Sequence, residues 1–182
     1  AITQDGALNI AGTADFLSSS SGNIILKSAA NDFVGAVRFI GGAVVIKDEN
    51  DINFGIGDST AAGTRADSSG NQYALKVYVG NAITDQANLL VTGPTVADIS
   101  DGNAWFGTGA AAGVIDLDNG GHTVDGTWTL EGGIGHTVSS ASAVVLTAMT
   151  LAGNLDVTTT GGTVTDTGVL SVEGLTMITA IG

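Results

Sequence analysis

The sequence predicts an all-β fold, a parallel β-helix or solenoid with roughly 20–25 residues per coil. Three observations carry the prediction. Short apolar pairs recur, each flanking one residue that points the other way: Leu8 and Ile10, Ile24 and Leu26, Val37 and Phe39. Period-two alternation of this kind marks a half-buried strand. Between the pairs sit Gly, Ser, Asn and Asp, which turn a chain sharply. Neighbouring pairs are often seven or eight residues apart with no helix between them, so three strands and three turns close one coil.

The pairs continue through Val44 and Ile46, then Ile52 and Phe54, with Lys47, Asp51 and Asn53 on the opposite side. The stretch from Gly57 to Asn71 has no apolar period and reads as a loop bulging from a coil, an insertion near 57–71 in a single 1–182 domain. Strand signal returns at Leu75, Val77 and Val79, and again at Leu89 and Val91, Trp105, Val114 to Leu117, and Trp128 with Leu130. From His136 to Ala152 there is no Gly, and a helix can be drawn. The β-branched residues and the following Gly153 favour strands. Leu155 and Val157, then Leu170 and Val172, complete the series. Two-residue hairpin turns would make a meander. The turns here are longer and irregular, which favours coils, and a β-sandwich is the alternative fold. A longer period is also visible: ITQDGALNIAG opens at Ile2, ITDQANLLVTG at Ile83 and VTDTGVLSVEG at Val164, 81 residues apart each time.

Composition bounds the function. With 43% hydrophobic residues and one Pro among 182, the chain has ample surface to bury and is neither disordered nor collagen-like. Only 13% of residues are charged, so Ser, Thr, Asn, Gly and Ala must cover much of the exterior, as is common in secreted and surface-layer proteins. The net charge is -13, and the five basic residues all lie in the first half. No basic patch exists to neutralise a phosphate backbone or an anionic lipid surface. No apolar run reaches the ~20 residues that span a bilayer, and without Cys there is no disulfide. The chain opens on Ala1, not Met, as expected of a chain whose leader was removed or of a piece of something longer.

The segments Gly6–Gly12, Gly22–Val37 (GNIILKSAANDFVGAV) and Gly41–Gly55 (GGAVVIKDENDINFG) resemble the repeats of filamentous-haemagglutinin-type proteins, very large secreted bacterial surface proteins. The resemblance covers residues 1–56 and returns at 153–174. It implies a right-handed parallel β-helix, export to the cell surface, and a role as adhesin, fibre or matrix component.

Few residues promise chemistry. Asp116, Asp118 and Asp125 form an acidic cluster that offers oxygen ligands for calcium, but Gly120 stands where a third ligand is needed. Asp48, Glu49 and Asp51 form a second cluster, and solvated turn carboxylates are the plain reading of both. GGIGHT at Gly132–Thr137 misses the Asp of a calcium-binding nonapeptide. His122 and His136 read as surface residues in Gly-rich turns. Trp105 and Trp128 offer flat faces for a glycan if exposed, and core packing otherwise. A β-helix polysaccharide lyase needs a basic residue beside metal ligands, and Arg38 and Arg65 are the only arginines. The expected function is therefore structural and not enzymatic: an extracellular subunit whose partner is itself, polymerising head to tail through Ile2, Leu8 and Ile10 at one end and Val164, Leu170 and Val172 at the other. Binding of extracellular glycans or matrix is the alternative.

Overall fold

The period-two pairs become strands because their inward members meet the same pairs one coil away. The computed structural model describes residues 1–63, 65, 66, 72–92 and 103–182, and among these every regular element is a strand. Coil 1 contains β1 (Ile2–Thr3), β2 (Asn9–Ile10) and β3 (Ala14–Leu17), and coil 2 contains β4 (Ile24–Leu26), β5 (Asp32–Phe33) and β6 (Val37–Gly41). Coil 3 contains β7 (Val44–Lys47), β8 (Ile52–Phe54) and β9 (Ser59–Ala61). A small antiparallel hairpin, β10 (Arg65–Ala66) and β11 (Gln72–Tyr73), follows it. Coil 4 contains β12 (Leu75–Val79), β13 (Ala82–Asp85) and β14 (Leu89–Val91). Coil 5 is β15 (Ala104–Thr108) and the long β16 (Val114–Val124), and coil 6 is β17 (Thr127–Glu131) and β18 (Gly135–Ser140). Coil 7 contains β19 (Val144–Leu146), β20 (Met149–Leu151) and β21 (Asn154–Thr159), and coil 8 contains β22 (Val164–Asp166), β23 (Leu170–Val172) and β24 (Thr176–Ala180).

The fold is a parallel β-helix. One strand from every coil joins an eight-stranded sheet, β1-β4-β7-β12-β15-β17-β19-β22, and every pair in it is parallel. A second, ten-stranded sheet closes the coil, and short two-stranded sheets (β2-β5 and β20-β23) form a third side near the two ends. In coil 5 the second and third sides merge: the first part of β16 pairs with β13 and its last part with β14, with a register shift between Leu117 and His122. Ile24, Val44, Leu75, Ala104, Trp128 and Leu146 stack in one inward column, and all are buried. The interval within this column ranges from 18 residues (Trp128 to Leu146) to 31 (Val44 to Leu75), and the longest accommodates the hairpin.

Two sequence expectations change and one is met. Ser59–Ala61, placed in the loop near 57–71, is a coil strand that pairs with β6 and β14, because Ser59 and Ala61 are small enough to point inward. The stretch from His136 to Ala152 holds parts or all of three strands, β18, β19 and β20, joined by short turns, as its β-branched residues favoured. The 81-residue period is not a structural repeat: Ile2 and Val164 lie in the eight-stranded sheet, whereas Ile83 lies in the other one. At the turn between β17 and β18, Gly132 and Gly133 have φ of 77° and 67°, in the left-handed region that disfavours a side chain.

Candidate functional site

The two histidines are not surface residues. His122 and His136 are 0% and 2% exposed. Each sits two residues before an inward valine, Val124 or Val138, so the strand alternation turns the imidazole into the core. The Leu89 N–H donates to His122 Nδ1 at 2.9 Å, which leaves the proton of the neutral ring on Nε2. Nε2 lies 3.3 Å from Asp85 Oδ2, and both side chains are sealed from solvent. Down the same column Ser140 Oγ donates to the His122 carbonyl, and Thr159, in register with Ser140, donates to the Ser142 carbonyl. Sealed from solvent, this chain of polar groups cannot meet a substrate, and its visible role is to tie coils 4 to 7 together. Burial pushes the His136 pKa below the ordinary histidine value.

The acidic clusters also resolve into structure. Asp48 is buried and accepts the N–H groups of Phe33 and Asn50, both at 2.7 Å. Burial raises its pKa against these two donors, which lower it. Asp51 accepts from Asn81 Nδ2 and the Ala82 N–H, both at 2.9 Å, tying coil 3 to coil 4. Asp116, Asp118 and Asp125 are exposed and do not converge. At about 3.3 Å per residue, extended chain carries Asp125 up to about 30 Å from Asp116. Among the described residues no group of three or more His, Cys, Asp or Glu is placed to hold a metal ion. Of the two arginines, Arg38 is taken by Asp15, which accepts from both Nε and Nη2, and the Arg65 side chain lies outside the described residues.

The tryptophans part company. Trp128 is fully buried, stacked on Phe106 with centroids 5.9 Å apart, so no glycan can reach it. Its two-residue alternation with Leu130 already pointed inward. Trp105 lies on the outer face of the eight-stranded sheet, half-buried, in a shallow cleft lined by Val45, Lys47, Lys76 and Tyr78. Its ring leans over Gly107, where any Cβ would collide with the indole, and stacks on Tyr78 at 5.9 Å and 15°. Lys76 Nζ lies 4.5 Å from the Trp105 centroid and Lys47 Nζ 5.4 Å from that of Tyr78. Two of the chain's five cations thus share one aromatic platform.

The terminal coils carry partly covered apolar side chains. Ile2, Leu8, Ile10, Val164, Leu170 and Val172 all pack against the core but are only partly buried, because each has a neighbouring coil on one side only. Around the last coil Val169 is 80% exposed and Leu175 72%, and Met177, Ile178 and Ile181 are also exposed.

Both end regions are similar to one described family of repeats. A family described as repeats of unknown function (DUF5649) matches residues 1–40 and 133–182. Those residues build coils 1 and 2 and, from late in coil 6, the coils up to coil 8. No curated protein and no solved structure matches the chain.

Proposed function

We propose that this chain is an extracellular structural protein, a β-solenoid subunit or segment that stacks head to tail into a fibre or surface layer. The observation that carries the reading is the pair of open terminal coils. On each, three apolar side chains are half-covered and the outer strand edges have no partner among the described residues. Unpaired strand edges template further strands. The same family of repeats at both ends supports a joint like the coil-to-coil contacts inside the molecule. A head-to-tail contact that does not close on itself makes filaments. The lightly charged exterior and the resemblance to secreted haemagglutinin-type repeats support a place at the cell surface. Electron microscopy and sedimentation between about pH 5 and 7.5 test the proposal, pH values that bracket ordinary histidine titration. Fibres are expected, and Leu170→Asp with Val172→Asp should abolish them while leaving the β-sheet circular dichroism intact. Monodisperse 17.9 kDa particles throughout would overturn it.

The Trp105 platform favours a second reading, an adhesin stalk that binds glycans or matrix. A sugar's C–H face stacks on indole, and two ammonium groups beside it select carboxylated or sulfated sugars. Trp105→Ala should then weaken binding to an acidic polysaccharide such as polygalacturonate about tenfold, roughly the loss of one stacking contact. Unchanged retention on an affinity column would exclude this reading.

A further inference from the structure

We infer that copies of this chain also pair side by side, the lysine-bearing face of one on the aspartate-bearing face of the next. The contact is separate from the head-to-tail stacking above and uses neither terminal coil. Charge is segregated along the chain: no lysine or arginine follows Lys76, whereas acidic residues continue to Glu173. Coiling turns that segregation into two faces. On the outer face of the eight-stranded sheet, Lys27 comes one residue after Leu26, which pairs with Ile46, so it is carried next to Lys47 of the following coil. Lys47 in turn pairs with Tyr78. The strands of this face in coils 2 to 5, β4, β7, β12 and β15, hold no acidic residue. The half-buried, stacked rings of Tyr78 and Trp105 lie beside the lysines.

The opposite charge lies on the outer face of the ten-stranded sheet. Asp116 pairs with Thr137 and Thr137 with Asp156, so these two carboxylates share an outward column two coils, about 10 Å, apart. Asp118 stands two residues from Asp116 on the same face, about 7 Å along the strand. Asp116 and Asp118 are exposed, and β16, β18 and β21 hold no lysine or arginine to neutralise them. The surface around them is low and partly apolar. Val114 is 37% exposed two residues before Asp116, and Gly135 and Thr137 lie beside these two. A flat aromatic pair can seat there while the ammonium groups reach the carboxylates. An exposed ion pair alone adds little. The affinity comes from covering Tyr78 and Trp105, and the charges fix which faces meet. A second copy is favoured over an acidic polysaccharide because the complementary face, with its own apolar floor, is built into the same chain. The two faces belong to different sheets, so the contact is heterologous and open-ended. Repeated, it lays solenoids side by side into a layer.

The experiment uses the full chain carrying Leu170→Asp and Val172→Asp, so that side contacts are read apart from end contacts. Sedimentation is followed over a range of concentrations at about 0.15 M salt, where charges more than about 8 Å apart are largely screened. The net charge of -13 on each copy then repels little, while facing groups still attract. This parent should associate as its concentration rises. Lys27→Glu with Lys47→Glu, and separately Asp116→Lys with Asp118→Lys, should each raise the concentration needed at least about tenfold, and Trp105→Ala should do so by a similar factor. An equimolar mixture of the two charge-reversed chains should associate again, because each retains the face that the other has lost. Circular dichroism confirms that every variant is folded. A parent still monomeric at about 1 mM overturns side-by-side pairing. If retention on polygalacturonate nevertheless falls in the lysine-reversed chain, the face belongs to a glycan. Association that either reversal leaves unchanged, or that the mixture fails to restore, also overturns the pairing. Fibres of the chain without Leu170→Asp and Val172→Asp are scored separately by electron microscopy, so a failure of side pairing and a failure of stacking give different results.

Discussion

Leu26→Asp should unfold the particle, whereas Lys27→Asp should change stability by less than about 0.5 kcal/mol. The two positions are adjacent, and the pleat sends them to opposite faces. Leu26 is 1% exposed and stacks on Ile46 of the next coil, and Lys27 is exposed. Burying the leucine stabilises the fold by about 1.5–3 kcal/mol. The aspartate removes that contribution and adds a buried charge with no cation beside it. The combined loss is at least about 4 kcal/mol, a large share of the 5–15 kcal/mol that holds a typical domain. Each coil in a solenoid is held mainly by its neighbours, so the damage spreads from coil 2 into coils 1 and 3. Urea denaturation followed by circular dichroism measures both variants. Equal tolerance of the two substitutions would place Leu26 outside the core and break the proposed coil register.

The coil architecture was legible because alternation survives in short strands. Ile24, Leu26, Val44 and Ile46 announce an inward face in the sequence and line it in the structure. Leu8, in the first coil, lines it only in part. What stayed hidden were the polar residues obeying the same alternation. His122 and Val124, and likewise His136 and Val138, are inward pairs, but Gly-rich surroundings made the histidines look like turn residues. Asp48 was missed for another reason: its burial depends on the Phe33 N–H group in the previous coil, a partner 15 residues away that no local pattern identifies. Ser59 and Ala61 were lost in the loop because an inward serine carries no apolar signal. The 81-residue period misled because one coil side resembles another in sequence, and coils of unequal length let similar segments fall on different sides. For the candidate sites, the sequence named the six terminal apolar residues and Trp105. The stack on Tyr78 and the two lysines depends on lateral neighbours that only the coil register brings together.

Trp128→Ala should cost about 3–5 kcal/mol, the range for removing a buried aromatic from a packed core. The indole is the largest side chain in its column, between the small Ala104 and Leu146, and stacks on Phe106. With no solvent contact, the neighbours would have to collapse inward or leave a cavity. Trp128→Phe distinguishes volume from hydrogen bonding. Indole Nε1 is buried without a hydrogen-bond partner, so phenylalanine loses ring area but also removes an unsatisfied donor. Its cost should therefore be only about 1–2 kcal/mol. The Phe variant also leaves Trp105 as the sole indole, so its fluorescence should report a half-buried ring and lose any blue-shifted component. Guanidinium titrations supply both free-energy differences. A Trp128→Ala cost below about 1 kcal/mol, within the range of an ordinary surface substitution, would mean that the ring does not occupy the core column and would reopen the outer face as its location.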